Sequence, residues 1–205
     1  MGPADNTRRL VVGISGASGA WYGIRVLELA RRMPDVETHL IVTPAAHLTI
    51  AAETDYRAAD VLQLADFVYD EEDLAAPLAS GSFETAGMVI VPCSVKSLSA
   101  IANSYASTLL TRAADVTLKE GRPLILVVRE TPLHKGHLRL MLDVAEMGGI
   151  IFPPVPALYG RPESVAEIID ATAGRILARL GFSNTSYPEW RGLDVRAGAC
   201  ETEST

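Results

Sequence analysis

The stretch Leu10-Val11-Val12-Gly13-Ile14-Ser15-Gly16-Ala17-Ser18-Gly19-Ala20 decides the fold, because an apolar run leads there into a glycine-rich turn. The apolar run is typical of a parallel strand that is buried on both faces. Gly13, Gly16 and Gly19 allow a tight turn and a close approach of the backbone to a ligand. An amphipathic pattern follows at once. Because a helix begins with free N–H groups and a positive dipole end, the stretch predicts a cradle for phosphate.

Composition sets the class of protein. The chain has 205 residues, of which 48% are hydrophobic, and a net charge of −7. Such a length and apolar content predict one packed domain. The negative charge disfavours nucleic acid and anionic membranes as partners. The two cysteines, Cys93 and Cys200, do not form a disulfide scaffold and favour a reducing cytoplasm.

Apolar runs and amphipathic segments alternate along the chain, which predicts an α/β fold. The predicted strands are Leu10–Ile14, His39–Thr43, Phe67–Tyr69, Met88–Val91, Leu124–Val128 and Ile150–Phe152. Alternation with helices predicts a Rossmann-like, three-layer, doubly wound sheet that is mostly parallel. We expect a flexible leader over residues 1–8, one ligand-binding α/β domain over 9–182, and a C-terminal tail over 183–205 that partly covers the site.

Polar side chains follow several of these strands directly. In doubly wound sheets, ligands bind at the carboxyl ends of the strands. We therefore expect one site rim at that edge, formed by Ser15, Ser18, Thr43, Ser94, Lys96, Arg129 and Glu130.

The rim favours a mononucleotide. A dinucleotide fold needs an acidic residue after the second strand, where this chain has Thr43-Pro44-Ala45. The glycines follow the spacing G-x-x-G-x-x-G, whereas the dinucleotide fingerprint is G-x-G-x-x-G. A hydrolase elbow, G-x-S-x-G, fails because the matching segment ends in Ala20. We therefore favour a mononucleotide such as FMN.

Simpler roles stay open for several of these residues. His134 and His137 have the spacing of two metal ligands but lack an evident third, so we expect no metal. Cys93 is of a type that is usually a small buried apolar residue. Arg129 and Glu130 can form a surface ion pair. Packing or dipole-complementing roles stay open for Lys119, Tyr159, Arg175 and Trp190.

Five motifs together resemble one family. They are Gly13-Ile-Ser-Gly-Ala-Ser-Gly19, Pro92-Cys-Ser-Val-Lys96, Ala113-Ala-Asp-Val-Thr-Leu-Lys-Glu120, Arg129-Glu-Thr-Pro-Leu133 and the segment from Pro156 to Pro162. In order and spacing they resemble the UbiX flavin prenyltransferases, which older descriptions call aromatic-acid decarboxylases. The resemblance runs from about Arg9 to Phe182.

The resemblance implies an activity. Such an enzyme joins a dimethylallyl group from dimethylallyl phosphate to N5 and C6 of reduced FMN, and dimethylallyl diphosphate stays open as the donor. A UbiD-type decarboxylase then uses the prenylated FMN. The family forms large homo-oligomers, often dodecamers, with sites between subunits. No metal is implied, which agrees with the lack of an Asp-rich cluster.

The resemblance also implies the site residues. The flavin-binding positions of the family match Gly16, Ala17, Ser18, Thr43, Ser94, Val95, Lys96, Ser97 and Arg129. The positions around the prenyl donor match Lys119, Arg129, Glu130, Tyr159 and Arg175, and less distinctly Glu53 and Trp190. The resemblance allows Lys119 to act in the site of a neighbouring subunit.

These residue types suit the chemistry. Breaking an allylic C–O bond releases phosphate, which Lys119, Arg129, Arg175 and the Tyr159 hydroxyl can stabilise by charge-assisted hydrogen bonds. Trp190 and the flavin face can stabilise the allylic cation. Bonding at C6 releases a ring proton, for which Glu130 is the candidate acid/base, and Ser18 can hold the N5 side of the flavin.

Two other functions stay open. One is a flavin-dependent cysteine decarboxylase, whose family has an Ala-Asn-Thr type of loop where this chain has Val95-Lys96-Ser97, and a histidine for which His47 is the nearby candidate. The other is a non-catalytic FMN carrier subunit of a decarboxylase. Trp21 is larger than the residue that is common at this position of the resembled family.

Overall fold

A computed structural model describes residues 7–190 and Gly192. Its six strands form one sheet in the order β3-β2-β1-β4-β5-β6, and every pair is parallel. The predicted fold class is therefore confirmed. The strands are β1 (Arg8–Ile14), β2 (Val36–Val42), β3 (Phe67–Tyr69), β4 (Gly87–Cys93), β5 (Leu124–Val128) and β6 (Ile150–Ile151).

Seven α-helices connect and follow the strands. They are α1 (Ala20–Ala30), α2 (Pro44–Glu53), α3 (Ala58–Leu62), α4 (Val95–Ala102), α5 (Leu109–Lys119), α6 (Lys135–Glu146) and α7 (Val165–Arg179). Two short 3-10 turns, Pro77–Ala79 and Leu158–Gly160, were not predicted, because one turn of helix leaves no periodic pattern. No helix within residues 7–190 is long and apolar enough to cross a membrane.

Strand β1 lies in the centre of the sheet, which explains its unbroken apolar run. Leu10, Val12 and Ile14 pack on one face with α1, α2, α3 and α7. Val11 packs on the other face with α4, α5 and α6. Burial of both faces stabilises the sheet through the hydrophobic effect, at about 25 cal/mol per Å² of apolar surface. The result is the three-layer arrangement that the sequence predicted.

The topology puts β1 between β2 and β4. Strands β1 to β3 are added toward one edge of the sheet and β4 to β6 toward the other, so the order of strand addition reverses between β1 and β4. In open α/β sheets this switch point opens a crevice at the carboxyl ends of the strands. The loops that follow β1, β2 and β4 therefore meet at one edge.

The predicted chain ends lie partly outside the described residues. Residues 1–6 of the predicted leader lie outside the described part of the chain. Arg8, which was predicted to belong to the leader, is the first residue of β1 and donates its backbone N–H to the Asp35 carbonyl. Of the predicted tail, residues 183–190 and Gly192 are described, and the rest lies outside.

Candidate active site

A cavity of about 720 Å³ opens at the carboxyl ends of β1, β2 and β4. This is the edge at which the polar residues of the sequence were expected to meet. Predicted flavin-binding residues that line it are Gly16, Thr43, Ser94, Lys96 and Ser97. The fold thus brings together residues from three separate loops.

Three helices begin at this cavity, each behind a hydroxyl side chain. The Thr43 hydroxyl accepts the Ala46 N–H at 3.2 Å at the start of α2. The Ser94 hydroxyl accepts the Ser97 N–H at 3.2 Å at the start of α4. Thr108 caps α5 in the same way. Because helix N-termini carry partial positive charge, their convergence favours an anionic group such as the phosphate of a nucleotide.

Sequence reasoning missed part of the lining. Thr108 and Thr111 line the cavity and form a capping box at the start of α5. Glu71, which is almost fully buried, also lines it, and its carbonyl accepts the Leu109 N–H at 2.7 Å. The Thr-x-x-Thr pattern of Thr108 and Thr111 could have revealed both residues, because such a pair of hydroxyl residues can form a capping box at the start of a helix.

The glycine-rich turn after β1 is shaped by its neighbours. A methyl group on Gly16 would overlap the side chain of Ala45 and lie 3.1 Å from the Ala45 carbonyl carbon. The turn therefore needs glycine where it meets the start of α2. Ala17 is buried beside it and donates its N–H to the Ser15 carbonyl at 2.8 Å.

Ser15 was expected on the site rim, and this expectation was wrong. Its side chain is 1% exposed. The hydroxyl donates to the Pro92 carbonyl at 2.9 Å and accepts the Ser94 N–H at 2.8 Å. Ser15 thus ties the ends of β1 and β4 together, because a buried hydroxyl must be satisfied within the protein.

At the start of α1 the N–H groups of Gly19 and Ala20 are bonded within the chain, so the prediction that they cradle a ligand phosphate was wrong. The Glu53 carboxylate accepts the Gly19 N–H at 2.7 Å and the Ala20 N–H at 3.1 Å. A carboxylate at the N-terminus also complements the helix dipole. Glu53 therefore occupies the place that the sequence had suggested for a ligand phosphate.

Glu53 is the centre of a small charged cluster. Burial alone would raise its pKa, but hydrogen bonds from the Ser18 hydroxyl and from the Gly19 and Ala20 N–H groups lower it below the usual value. The positive charge of Arg129 lowers this pKa further. Ser18, Glu53 and Arg129 are thus brought together, and Glu53 stays ionised near neutral pH.

Arg129 and Glu130 follow β5 and are both exposed. The Arg129 N–H donates to the Cys93 carbonyl at 3.2 Å, which fixes the backbone beside the end of β4. Glu130 accepts the Thr131 N–H at 2.9 Å. Among the residues described, no salt bridge joins Arg129 to Glu130, so the alternative of a surface ion pair does not apply in this chain.

Tyr159, Trp190 and Arg175 form a second group together with the described part of the tail. The rings of Tyr159 and Trp190 meet edge to face, with centroids 5.6 Å apart. The Tyr159 hydroxyl donates to the Pro188 carbonyl at 3.2 Å. Arg175 lies over the ring of Tyr187 at 5.6 Å. These predicted donor-binding residues meet each other through the tail and do not line the cavity.

Lys119 lies apart from both groups. The cavity is at the first turn of α5, and Lys119 is the last residue of that helix. A helix rises about 1.5 Å per residue, so Lys119 is roughly 12 Å away along the axis from Thr111, the nearest lining residue of α5. Its ammonium group contacts the Glu120 carboxylate at the protein surface. Lys119 does not reach the cavity of its own chain.

Three further residues can now be assigned simpler roles. His134 caps α6, since its Nδ1 accepts the N–H groups of Gly136 and His137, and the two imidazole rings stack at 3.6 Å. Across the described part of the chain, no group of three His, Cys, Asp or Glu side chains is placed to hold a metal ion. Burial raises the pKa of the Cys93 thiol to about 12.

Comparison with known proteins identifies the family. A family model described as Flavoprotein matches residues 3–177. The flavin prenyltransferase UbiX of Escherichia coli K12 is 54% identical over 187 residues, which cover 90% of this chain and 99% of that protein. The chain belongs to the UbiX family of flavin prenyltransferases.

Two solved UbiX structures have the same architecture. AnUbiX in complex with FMN and dimethylallyl pyrophosphate superposes with a TM-score of 0.89, at 47% identity, covering 92% of this chain and all of that one. A dodecameric FMN-dependent UbiX-like decarboxylase from Escherichia coli O157:H7 superposes with a TM-score of 0.88 at the same identity, covering 90% of this chain and 100% of that one. The resemblance that the motifs indicated is confirmed, and the chain is an FMN-dependent flavoprotein of the transferase class.

Proposed function

We propose that this UbiX-family protein transfers a dimethylallyl group from dimethylallyl phosphate to reduced FMN, forming bonds at N5 and C6. The observation that carries the proposal is the placement of the Ser18–Glu53–Arg129 cluster at the same sheet edge as the cavity. One chain thus offers a cavity of nucleotide size with hydroxyl side chains in its lining and, beside it, a set of charged groups that can act on a second, phosphorylated ligand.

The cavity holds FMN through its backbone and hydroxyl groups. The converging starts of α2, α4 and α5 favour the phosphate, and Thr43, Ser94 and Ser97 supply hydroxyls. Lys96 adds a positive charge. The loop residues Gly16, Ala17, Ser18 and Val95, together with Arg129, would hold the flavin ring system. The Ser18 hydroxyl, held by Glu53, faces N5.

The donor binds against the flavin with its phosphate among cationic groups. Reduced FMN supplies the nucleophilic N5. Lys119, Arg175 and the Tyr159 hydroxyl stabilise the departing phosphate, because charge-assisted hydrogen bonds strengthen as negative charge develops. Trp190, in the described part of the tail, can stabilise the allylic cation through its ring. Bonding at C6 would require that the remaining prenyl double bond first gain a proton, and we assign to Glu130 both the delivery of that proton and the acceptance of the one that C6 loses.

The complete site needs several subunits. Lys119 lies roughly 12 Å along α5 from the cavity, and Tyr159 and Arg175 each contact the tail and do not line the cavity. Neighbouring copies can supply these residues if the chain assembles as a homo-oligomer, for which the dodecameric relative is the pattern. The product, prenylated FMN, passes to a UbiD-type decarboxylase in the cytoplasm.

Mass measurement tests the reaction directly. The assembled protein is incubated without oxygen with reduced FMN and dimethylallyl phosphate, and in parallel with the diphosphate. We expect FMN to gain the mass of one dimethylallyl group with the monophosphate. Decarboxylation of a cysteinyl peptide without this gain would instead support a cysteine decarboxylase, and bound FMN without either reaction would support a carrier.

A further inference from the structure

The loop over residues 79–84 is fixed by arginine side chains from three elements. Arg122 donates to the Gly81 carbonyl at 2.8 Å and to the Phe83 carbonyl at 2.9 Å. Arg112 donates to the Ala79 carbonyl at 3.1 Å, and Arg9 to the Glu84 carbonyl at 3.4 Å. Four carbonyls of one short loop thus have a charged donor, which is typical of a segment held in a defined position.

The end of α5 lies against this loop. Lys119 and Glu120 form an ion pair, and their side chains are 47% and 34% exposed. A methyl group on Gly81 would overlap the Glu120 carboxylate and would lie 2.8 Å from Lys119 Nζ. The space that glycine leaves open at position 81 is therefore occupied by this ion pair.

The backbone gives no other reason for glycine at position 81. The glycines with a φ in the left-handed region are Gly19, Gly87, Gly121, Gly148, Gly181 and Gly192, and Gly81 does not belong to them. A residue with a side chain can adopt the backbone conformation of position 81. What a side chain would change is the position of the Lys119–Glu120 pair.

From this geometry we infer that Gly81 is a positioning residue for Lys119. The fixed 79–84 loop and the Glu120 carboxylate hold the ammonium group at one place on the subunit surface, from which it reaches the donor phosphate in the site of a neighbouring copy. A free lysine loses side-chain entropy when it is ordered, and prior ordering removes part of this cost. The inference rests on the proposed function, through the role of Lys119.

The test is Gly81→Ala in the full-length, FMN-loaded assembly. Both clashing atoms are the ends of flexible exposed side chains, so the fold accommodates the methyl group by displacing them. We expect the affinity for dimethylallyl phosphate, measured by calorimetry, to fall about tenfold, with a matching rise in KM, because a displaced charge loses its alignment. FMN affinity, melting temperature and assembly size stay unchanged.

Ser82→Ala is the matched control. It lies in the same loop, and its hydroxyl meets only that of Ser80, at 2.9 Å. We expect wild-type donor affinity for this variant. A similar loss in both variants would show that the loop as a whole, and not the space at position 81, matters.

The Lys119→Ala background separates positioning from a structural effect. If Gly81 acts through Lys119, Gly81→Ala causes no further loss of donor affinity once the lysine is absent, because effects on one shared interaction are not additive. An equal loss in both backgrounds, or wild-type donor affinity for Gly81→Ala alone, overturns the inference. The binding readout also separates it from the proposed function, which fails if the wild type binds both ligands but yields no prenylated FMN.

Discussion

The flavin cavity and the residues expected around the donor phosphate are built in different ways. The cavity takes Gly16, Thr43 and Ser94 from loops that follow adjacent parallel strands, so one chain forms it as soon as the sheet forms. The donor residues come from the end of α5, from the 3-10 turn at Leu158–Gly160 and from α7. Within one chain, Tyr159 and Arg175 lie at the tail and Lys119 stays apart from them, and none of the three lines the cavity.

This difference separates binding of the flavin from the transfer reaction. A parallel sheet collects the residues after its strands at one edge, irrespective of any partner. Residues at helix ends and on outer helices are collected only when surfaces of different copies meet, as in symmetric oligomers. A single subunit should therefore suffice to hold FMN, whereas transfer should require the assembly.

Glu130→Gln should have the largest effect, because it removes the acid/base while leaving the cavity intact. Glu130 is exposed and contacts only the Thr131 N–H in the described structure, so the fold does not depend on its charge. We expect the rate of prenylated-FMN formation to fall at least about 100-fold. FMN affinity, measured by flavin fluorescence, should stay within about twofold of wild type. A fully active variant would remove Glu130 from the mechanism.

Mixed assemblies test whether Lys119 acts on a neighbouring copy. Lys119→Ala and Glu130→Gln are each inactive alone, and the two chains are co-expressed so that they assemble together. If the two residues of one site come from different copies, roughly a quarter of the sites in a random mixture have both intact, and activity returns to that extent. Co-expression with activity no higher than that of either variant would place Lys119 and Glu130 of one site in the same chain.

Many of the residues that line the flavin cavity could be predicted from the sequence. Strand ends can be read from apolar runs, and Thr43 and Ser94 follow such runs directly. Sequence reasoning failed at the start of α1, because nothing in the local pattern shows that Glu53, 34 residues after Gly19, returns to cap that helix. It also placed Ser15 on the rim, since periodicity does not tell an inward hydroxyl from an outward one.

Glu53→Gln should weaken the link between α2 and the start of α1. Loss of a charged cap typically costs about 1 kcal/mol of unfolding free energy. Because hydrogen bonds and Arg129 hold the pKa of Glu53 below its ordinary value of 4.5, the folded state binds this proton less readily than the unfolded state. The stability difference between wild type and variant should be full at neutral pH and shrink as the pH falls below that ordinary value.

Urea unfolding at a series of pH values measures this difference. Asp55→Asn, an exposed carboxylate two residues further along the chain, is the control and should show no such pH dependence. A stability difference for Glu53→Gln that stays constant through the acid range would show that the carboxylate charge does not contribute to the cap.

Trp21→Phe should have the smallest effect. It tests whether Trp21 only supports the loop beside the flavin cavity or also belongs to the donor-binding residues. The indole N–H donates to the Glu53 carbonyl at 3.0 Å, and the ring meets Tyr56 edge to face at 5.7 Å. Phenylalanine keeps the ring contact and loses one partly exposed hydrogen bond, which costs about 0.5–1 kcal/mol. Tyr56→Phe, which loses the hydrogen bond to Glu28 at 2.6 Å, is the matched control for stability. Because Trp21 supports the cap residue and does not line the cavity, FMN affinity should stay at the wild-type value in both variants. A marked fall in donor affinity for Trp21→Phe alone would instead place the indole in the donor pocket.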